Sequence, residues 1–426
     1  MSDPSQSPVP SLQALDVEAI RGRFPALAAA KGFVFFDNAA GAQIPWAVLE
    51  AVIDHLLVRN VQRGGPYGQS REVDAMIGRA RESVAAFVDA RGADEIAFGL
   101  NATSFIRSIS LAVGQTLATR PEIILSDLDH ESNIATWLAL ERAGARIVWW
   151  HARVGEDGAR LHPADLEPLL TERTRLVACT LASNATGSLV DVADVARRAH
   201  GVGAEVFLDA VHYAPHLSID VQAFDCDYLV CSGYKVFAPH MGFAWCRREA
   251  INRLPTFRED FIPDVTPDKL EAGTYAYENV AGMDAAVAYL EQFGSGPTRT
   301  EKLRGAMTAI AAYERTLSAA LLDEVATVSG LTVHGVTDRA RLHERVPTLC
   351  FSVAGHSAPA IAEGLAARGI GVRSGHMYSP RLMARLGLHG GAVRASLVHY
   401  NTVAEISRFG EALREVVGAP RSSQGL

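Results

Sequence analysis

From residue 33 to about residue 247 the chain alternates short apolar runs with amphipathic helical stretches, and this alternation restricts the fold more than any other feature of the sequence. Strand candidates occupy residues 33–37, 95–99, 122–126, 146–150, 176–181, 206–209, 228–231 and 242–246. Helical patterns lie between several of them, as at 134–143, 163–170 and 192–200. Short apolar strands separated by helices imply crossover connections and a mostly parallel sheet covered on both faces. Ligands of such sheets sit beyond the carboxyl ends of the strands, where Asp37, Asn101, His130, Asn184, Asp209 and Lys235 fall.

Two of these positions define a chemistry. The run 228–232 ends in a small-residue turn that presents the Lys235 amine, and the run 205–209 ends in the Asp209 carboxylate, with His212 just beyond. A buried strand-end carboxylate is costly unless a positive charge meets it. A buried amine and a buried acid together suit pyridoxal 5'-phosphate: the amine bonds the cofactor's carbonyl carbon, and the acid holds the pyridinium proton that makes the ring an electron sink.

At 426 residues the chain is long for one core and sufficient for two domains. We place a large cofactor-binding domain at 31–280 and a small α/β domain at 281–426, with residues 1–30 packing on the small one. The second unit opens on a helical run at 280–322 and continues through strand candidates at 332–334, 348–353, 371–373 and 392–396. A net charge of -8 argues against nucleic acid or an anionic membrane as partner. No stretch approaches the roughly 18 apolar residues of a membrane span. Residues 1–11 are rich in Ser, Pro and Gln and lack the basic start and apolar run of a signal peptide. The five cysteines, Cys179, Cys226, Cys231, Cys246 and Cys350, lie mostly inside apolar runs. They read as buried free thiols in a reducing compartment, so the expected location is the cytoplasm.

The strings that carry these residues resemble, in order and over nearly the whole chain, the class V aminotransferase group of fold-type I pyridoxal phosphate enzymes, nearest to its cysteine desulfurase-like proteins. They run from Phe35-Phe36-Asp37-Asn38-Ala39-Ala40-Gly41 to Val393-Arg394-Ala395-Ser396. The resemblance implies a large domain with a mostly parallel seven-stranded sheet and a smaller α/β domain. It also implies roles. Ala102 and Thr103, opening a helix, bind the cofactor phosphate with Ser232; Tyr234 stands in place of the family's usual histidine, its hydroxyl directed at the same phosphate. His130 stacks on the ring as a catalytic residue beside Lys235 and Asp209, Asn184 lies near the ring oxygen, and His212 replaces a glutamine that contacts the ring hydroxyl. Thr274, in Glu271-Ala272-Gly273-Thr274, reaches the phosphate of a neighbouring subunit, so the protein is expected as a homodimer. Asn38 and Arg394 face the substrate, Arg394 as a fork for an α-carboxylate. His212 and His216 have an i, i+4 spacing without an evident third ligand, so no metal is expected.

One string departs from the pattern. Desulfurases of this kind carry a mobile, persulfide-forming cysteine a few residues after an Arg-x-Gly-His string; here the sequence is Val372-Arg373-Ser374-Gly375-His376-Met377-Tyr378, and Tyr378 takes the thiol's place. Without the thiol, the expected chemistry is removal of the Cα proton from a small amino acid or its S-conjugate by Lys235, followed by β-elimination as in carbon–sulfur lyases, with Tyr378 at the substrate. Desulfuration by another route, epimerisation as in isopenicillin N epimerase-like relatives, and amino transfer use the same residues. A cofactor-binding interaction protein without catalysis is the reading from another class. Lys235, Asp209 and Arg394 together favour an enzyme, because a binding module needs no carboxylate clamp.

Overall fold

The computed structural model describes residues 15–155 and 158–418, so the readings of residues 1–11 lie outside the described residues. Seven apolar runs form one sheet: β1 (Ile96–Gly99), β2 (Glu122–Ser126), β3 (Arg146–Trp150), β4 (Thr174–Thr180), β5 (Glu205–Asp209), β6 (Tyr228–Ser232) and β7 (Gly242–Cys246). Their spatial order is β1-β7-β6-β5-β4-β2-β3. Pairs from β6 through β3 are parallel, whereas β7 runs antiparallel to both β6 and β1. An antiparallel neighbour needs no helical crossover. The chain therefore returns from β6 to β7 through the short connection 233–241, which carries Lys235.

Side chains alternate between two cores, as the period of a strand requires. Val206 and Leu208 of β5 enter one core and Phe207 the other; Leu229 and Cys231 of β6 enter the first, Tyr228 and Val230 the second. Each such aliphatic burial contributes about 1.5–3 kcal/mol, which is why these runs carry almost no polar residue before their ends. Helices Ala102–Gly114 and Ser132–Leu138 cover one face through Phe105, Ile109, Ile134 and Trp137. Helices Gly68–Val88, Val192–Gly201 and Tyr277–Glu291 cover the other through Val84, Val195 and Val287. Chain order passes outward from β2 to β3 and returns to β4 on the opposite side of β2. The resulting switch point puts the loops after β2 and β4 around one crevice.

The smaller sheet is antiparallel, in the order β8 (Leu331–Val333), β9 (Thr348–Val353), β11 (Ala392–Ser396), β10 (Arg373–Gly375). Its core takes Leu317 and Leu321 from the helix Arg299–Ala326 and Phe409 and Leu413 from the helix Val403–Gly418. Met307 and Ile310 of that first helix belong to the large core, so one rigid element spans both.

Four sequence expectations change in detail. The run 33–37 is not a strand of the large sheet: Val34–Phe35 pairs in parallel with Ile370–Gly371, and Val34 and Phe36 enter the small core. The segment 163–170 forms two 3-10 turns, Pro163–Asp165 and Glu167–Leu169, because Pro163 and Pro168 deny the donors a continuous helix needs. The helix expected at 134–143 is α-helical only over Ser132–Leu138 and tightens to 3-10 over Ala139–Ala143. The run 280–322 divides into Tyr277–Glu291 and Arg299–Ala326, the second opened by a capping box of Thr298 and Glu301. Among the described residues no helix is long and apolar enough to cross a membrane.

Candidate active site

Lys235 sits in the turn that leaves β6, buried to 7% exposure, and its Nζ makes no hydrogen bond or ion pair among the described residues. Burial first, and the Arg394 guanidinium second, push its pKa down to about 8, against the pull of Asp209. Asp209 ends β5, 5% exposed, with Oδ1 accepting the Val211 N–H at 2.8 Å. Burial raises its pKa, opposed by the Val211 bond and by Lys235. Asp129, after β2, is also buried and is pushed up to about 7 by desolvation, while Asn133 donates to it at 2.8 Å.

His130 lines the same cavity as Lys235. The Ser132 N–H donates to its Nδ1 at 3.1 Å, which leaves the ring hydrogen on Nε2. Burial, then Lys235 and Arg394, push its pKa down to about 4, so it is a neutral, flat surface at physiological pH. The Ala102 N–H donates to Ser232 Oγ at 3.1 Å, which fixes the β6 hydroxyl at the N-terminus of the helix Ala102–Gly114. The Thr103 hydroxyl lines the same cavity and has no partner among the described residues. Backbone N–H groups, a threonine and a serine converging at a helix start form an anion site.

Arg394, on β11, is buried to 2% exposure. Its Nη1 donates to the Asn184 carbonyl at 2.8 Å and its Nη2 to Asp37 Oδ1 at 3.0 Å, while Nε is buried without a partner. Arg373, opposite it on β10, binds Asp37 as well, with Nη2 2.7 Å from Oδ2. One carboxylate thus serves two guanidiniums, and the excess positive charge selects an anion.

The Asn184 amide is engaged by the segment that carries Tyr378: its Nδ2 donates to the Met377 carbonyl at 2.7 Å and its Oδ1 accepts from Ser379 Oγ at 2.9 Å. Met377 and Tyr378 both adopt positive φ, +53° and +57°, a conformation that is strained for side chains of this size. The Asn184 bonds, the Tyr378 N–H on His376 Nδ1 at 3.0 Å and the Glu131 N–H on the Tyr378 carbonyl at 2.7 Å hold that turn. Tyr378 is 57% exposed at the cavity mouth, its ring centroid 5.6 Å from that of His130.

His212 lines the inner cavity; its Nε2 pairs with Thr348 Oγ1 at 3.0 Å, its Nδ1 is buried and unpartnered, and desolvation keeps the ring neutral. His216 instead meets Glu314 at 2.8 Å, and among the described residues no group of His, Cys, Asp or Glu can hold a metal ion. Tyr234 lies parallel to His240 with centroids 5.0 Å apart.

The cavity around Lys235, of about 770 Å³, gathers Thr103, His130, Asn184, Ser232, Tyr234, Tyr378 and Arg394. Its inner end adds Ala102, Asp209 and His212. Two expected residues lie elsewhere. Asn38 lines not this cavity but an adjoining one, and its amide is taken up within the fold: its Nδ2 is bonded to the Phe35 and Ser396 carbonyls at 2.8 and 2.9 Å and to Asn401 Oδ1 at 3.1 Å, and its Oδ1 accepts from Tyr400. Thr274 lies in a separate depression with Gln62 and Tyr277, accepting from Gln62 Nε2 at 2.8 Å. Arg373, Arg107, His240 and Met377 line the cavity without having been marked. Arg107 follows Thr103 by four helical positions and was legible from that spacing; the β10–β11 register that brings in Arg373 was not.

The donors fit pyridoxal phosphate. An unpartnered buried amine, a buried carboxylate open to the cavity, an unpartnered imidazole nitrogen and an anion site at a helix start match its aldehyde, pyridine nitrogen, ring hydroxyl and phosphate. Fold and site together define a pyridoxal phosphate-dependent enzyme of fold type I.

The chain belongs to the aminotransferase class-V family, whose profile matches residues 34–409. It is 35% identical to an aminotransferase-like protein, FGM3, of Gibberella zeae, covering 96% of this chain and 100% of that one. It is 31% identical to a protein of Streptomyces coelicolor named "Probable cysteine desulfurase", covering 94% and 97% respectively. Among solved structures, the cysteine desulfurase CsdA of Escherichia coli superposes with a TM-score of 0.83 at 26% identity, covering 95% of this chain and 99% of that one.

Proposed function

We propose that this enzyme removes the Cα proton of a small amino acid or its S-conjugate and expels the β-substituent, yielding pyruvate, ammonia and a thiol or sulfide with one water consumed. The reading is supported by Tyr378, a phenol on a braced turn at the cavity mouth, at the position to which the sequence resemblance assigns the mobile thiol of a desulfurase. All five cysteines are buried. Cys350, beside Arg394 in the small sheet, has its pKa pushed up to about 12 by burial, so its nucleophilic thiolate scarcely forms.

Arg394 and the charge balance around Asp37 hold the substrate carboxylate. The bound cofactor supplies an electron sink for charge that develops at Cα. Lys235 would be the base for the Cα proton; an amine with pKa near 8 both accepts and returns a proton near neutrality. Asp209 would hold a proton on the ring nitrogen, and neutral His130 would cover the ring without adding a competing positive charge. Product stoichiometry tests this reading with cysteine, cystine, cysteine sulfinate and bulkier S-conjugates. Pyruvate and ammonia in equal amounts, without protein-bound persulfide, are expected. Alanine with a persulfide on any of the five cysteines restores a desulfurase; a D-amino acid product establishes an epimerase.

We further propose a homodimer in the reducing cytoplasm. Support comes from free buried cysteines and from exposed apolar side chains: Phe261, which lines the Thr274 depression, is 82% exposed, and elsewhere on the surface Phe257 is 92% exposed and Leu57, on the helix Trp46–Val58, 79%. Exposed apolar groups of this size mark contact surfaces. Thr274, remote from Lys235 in its own chain, then serves the partner's phosphate. Thr274→Ala should weaken cofactor binding roughly tenfold to a hundredfold, the worth of one hydrogen bond to a charged group, while sedimentation still shows a dimer. Unchanged cofactor affinity, or a fully active monomer, refutes this arrangement.

A further inference from the structure

The cavity at Lys235 does not end at the substrate head group. A second open cavity of about 510 Å³ adjoins it, and the two share Ala40, Tyr234, His240 and Arg373 as walls. Ala40 contributes only a methyl group at the junction, and the parallel Tyr234 and His240 rings form one flat side of the passage. Beyond the junction the walls add the apolar side chains of Phe33, Phe35, Ile44 and Val372 beside Asp37, Asn38 and Gln43. Whole small-molecule sites measure about 300–1,000 Å³, so this annex is large enough for a ring-sized group.

Charge restricts what can enter. Among the described residues no glutamate lines either cavity; Asp37 already binds Arg373 and Arg394, and Asp209 lies at the inner end, where it would face the ring nitrogen of the cofactor. Arg107 stands exposed at the rim and has no carboxylate partner among the described residues. An approaching ammonium group would meet guanidiniums and no free carboxylate.

We propose that this annex is the side-chain subsite, and that the enzyme selects amino acids whose β-substituent carries a large neutral group, an aromatic S-conjugate above all, over free cysteine-sized or cationic amino acids. The assignment rests on the amino acid reading of the Lys235 site and is independent of the fate of the substrate. Arg394 anchors the α-carboxylate and Lys235 marks the amine end. Across the junction lies the adjoining void that a longer side chain can occupy.

The test uses α-methyl amino acids, which lack the Cα proton and so bind without reacting. Holoenzyme is titrated with 2-aminoisobutyrate, S-benzyl-α-methylcysteine and α-methyllysine, following cofactor absorbance. S-benzyl-α-methylcysteine should bind at least about tenfold tighter than 2-aminoisobutyrate, a difference of about 1.4 kcal/mol, and α-methyllysine should bind no tighter than 2-aminoisobutyrate. Gly41 lines the annex and has extended backbone; a Cβ there meets Tyr234 at 3.5 Å, an ordinary contact. Gly41→Leu should therefore narrow the annex, abolish the preference for the benzyl ligand and leave 2-aminoisobutyrate affinity within about twofold; Ile44→Trp, also in the annex wall, should do the same. Equal affinity for the three ligands, or a preference that survives both substitutions, overturns the subsite while leaving the amino acid reading intact. Failure of every ligand to bind overturns that reading and the subsite with it.

Discussion

Lys235→Ala should give a folded protein that releases its cofactor on dialysis after borohydride treatment and turns over no amino acid at a measurable rate. Among the described residues Lys235 is the only lysine lining the cavity, and its amine makes no hydrogen bond or ion pair. The substitution removes both the covalent attachment and the base, and general base catalysis alone contributes typically 10²–10⁴-fold. Added methylamine should restore a fraction of the rate if the lost function is proton transfer. Retention of the covalent bond in the variant would show that another amine carries the cofactor.

The same residue links function to stability. Lowering the Lys235 pKa from 10.5 to about 8 means that the cofactor-free fold is penalised for holding a charged amine, by about 3 kcal/mol at about 1.4 kcal/mol per pKa unit. The folded pKa lies below the unfolded one, so between about pH 8 and 10.5 the unfolded chain binds more protons and stability rises with pH. That penalty is fully present below pH 8. Lys235→Met should raise the stability of the cofactor-free protein at pH 7 and flatten its rise above pH 8.

How much of this was legible follows from which signals are local. Strands of the large sheet announce themselves because both faces are buried, so 123–126, 206–209 and 228–232 read as apolar runs that end in polar residues. The ends of those runs supplied Asp209 and Lys235. The run 33–37 looked the same, yet it pairs with Ile370–Gly371, and pairing partners more than 300 positions away leave no local trace. Asn38 and Asn184 show a related limit. Their positions in motifs were visible, but whether an amide faces a ligand or braces the backbone depends on which carbonyls the fold brings to it. For Asn38 these come from Phe35 and Ser396, for Asn184 from Met377. The depression that holds Thr274 likewise became distinct only when Gln62 and Tyr277 were folded against it.

Asp209→Asn should leave the fold in place and reduce turnover by about 10³-fold or more, equivalent to about 4 kcal/mol at about 1.4 kcal/mol per tenfold. The fold survives because the single backbone contact of this side chain, the Val211 N–H on Oδ1, can be kept by an amide oxygen. What is lost is the negative charge that holds a proton on the ring nitrogen, and with it the ring's capacity to accept electrons from Cα. A second readout separates this role from packing. Asp209 raises the Lys235 pKa, so its neutralisation should shift the titration of the free amine in the cofactor-free variant to lower pH. Buried Asp129, which Asp209 pushes upward, should titrate lower as well. A loaded variant with near-normal turnover would show that the ring does not depend on this carboxylate. Lost turnover with neither titration moved would assign Asp209 to positioning the ring alone, because a charge acting across the cavity must be felt by both neighbours.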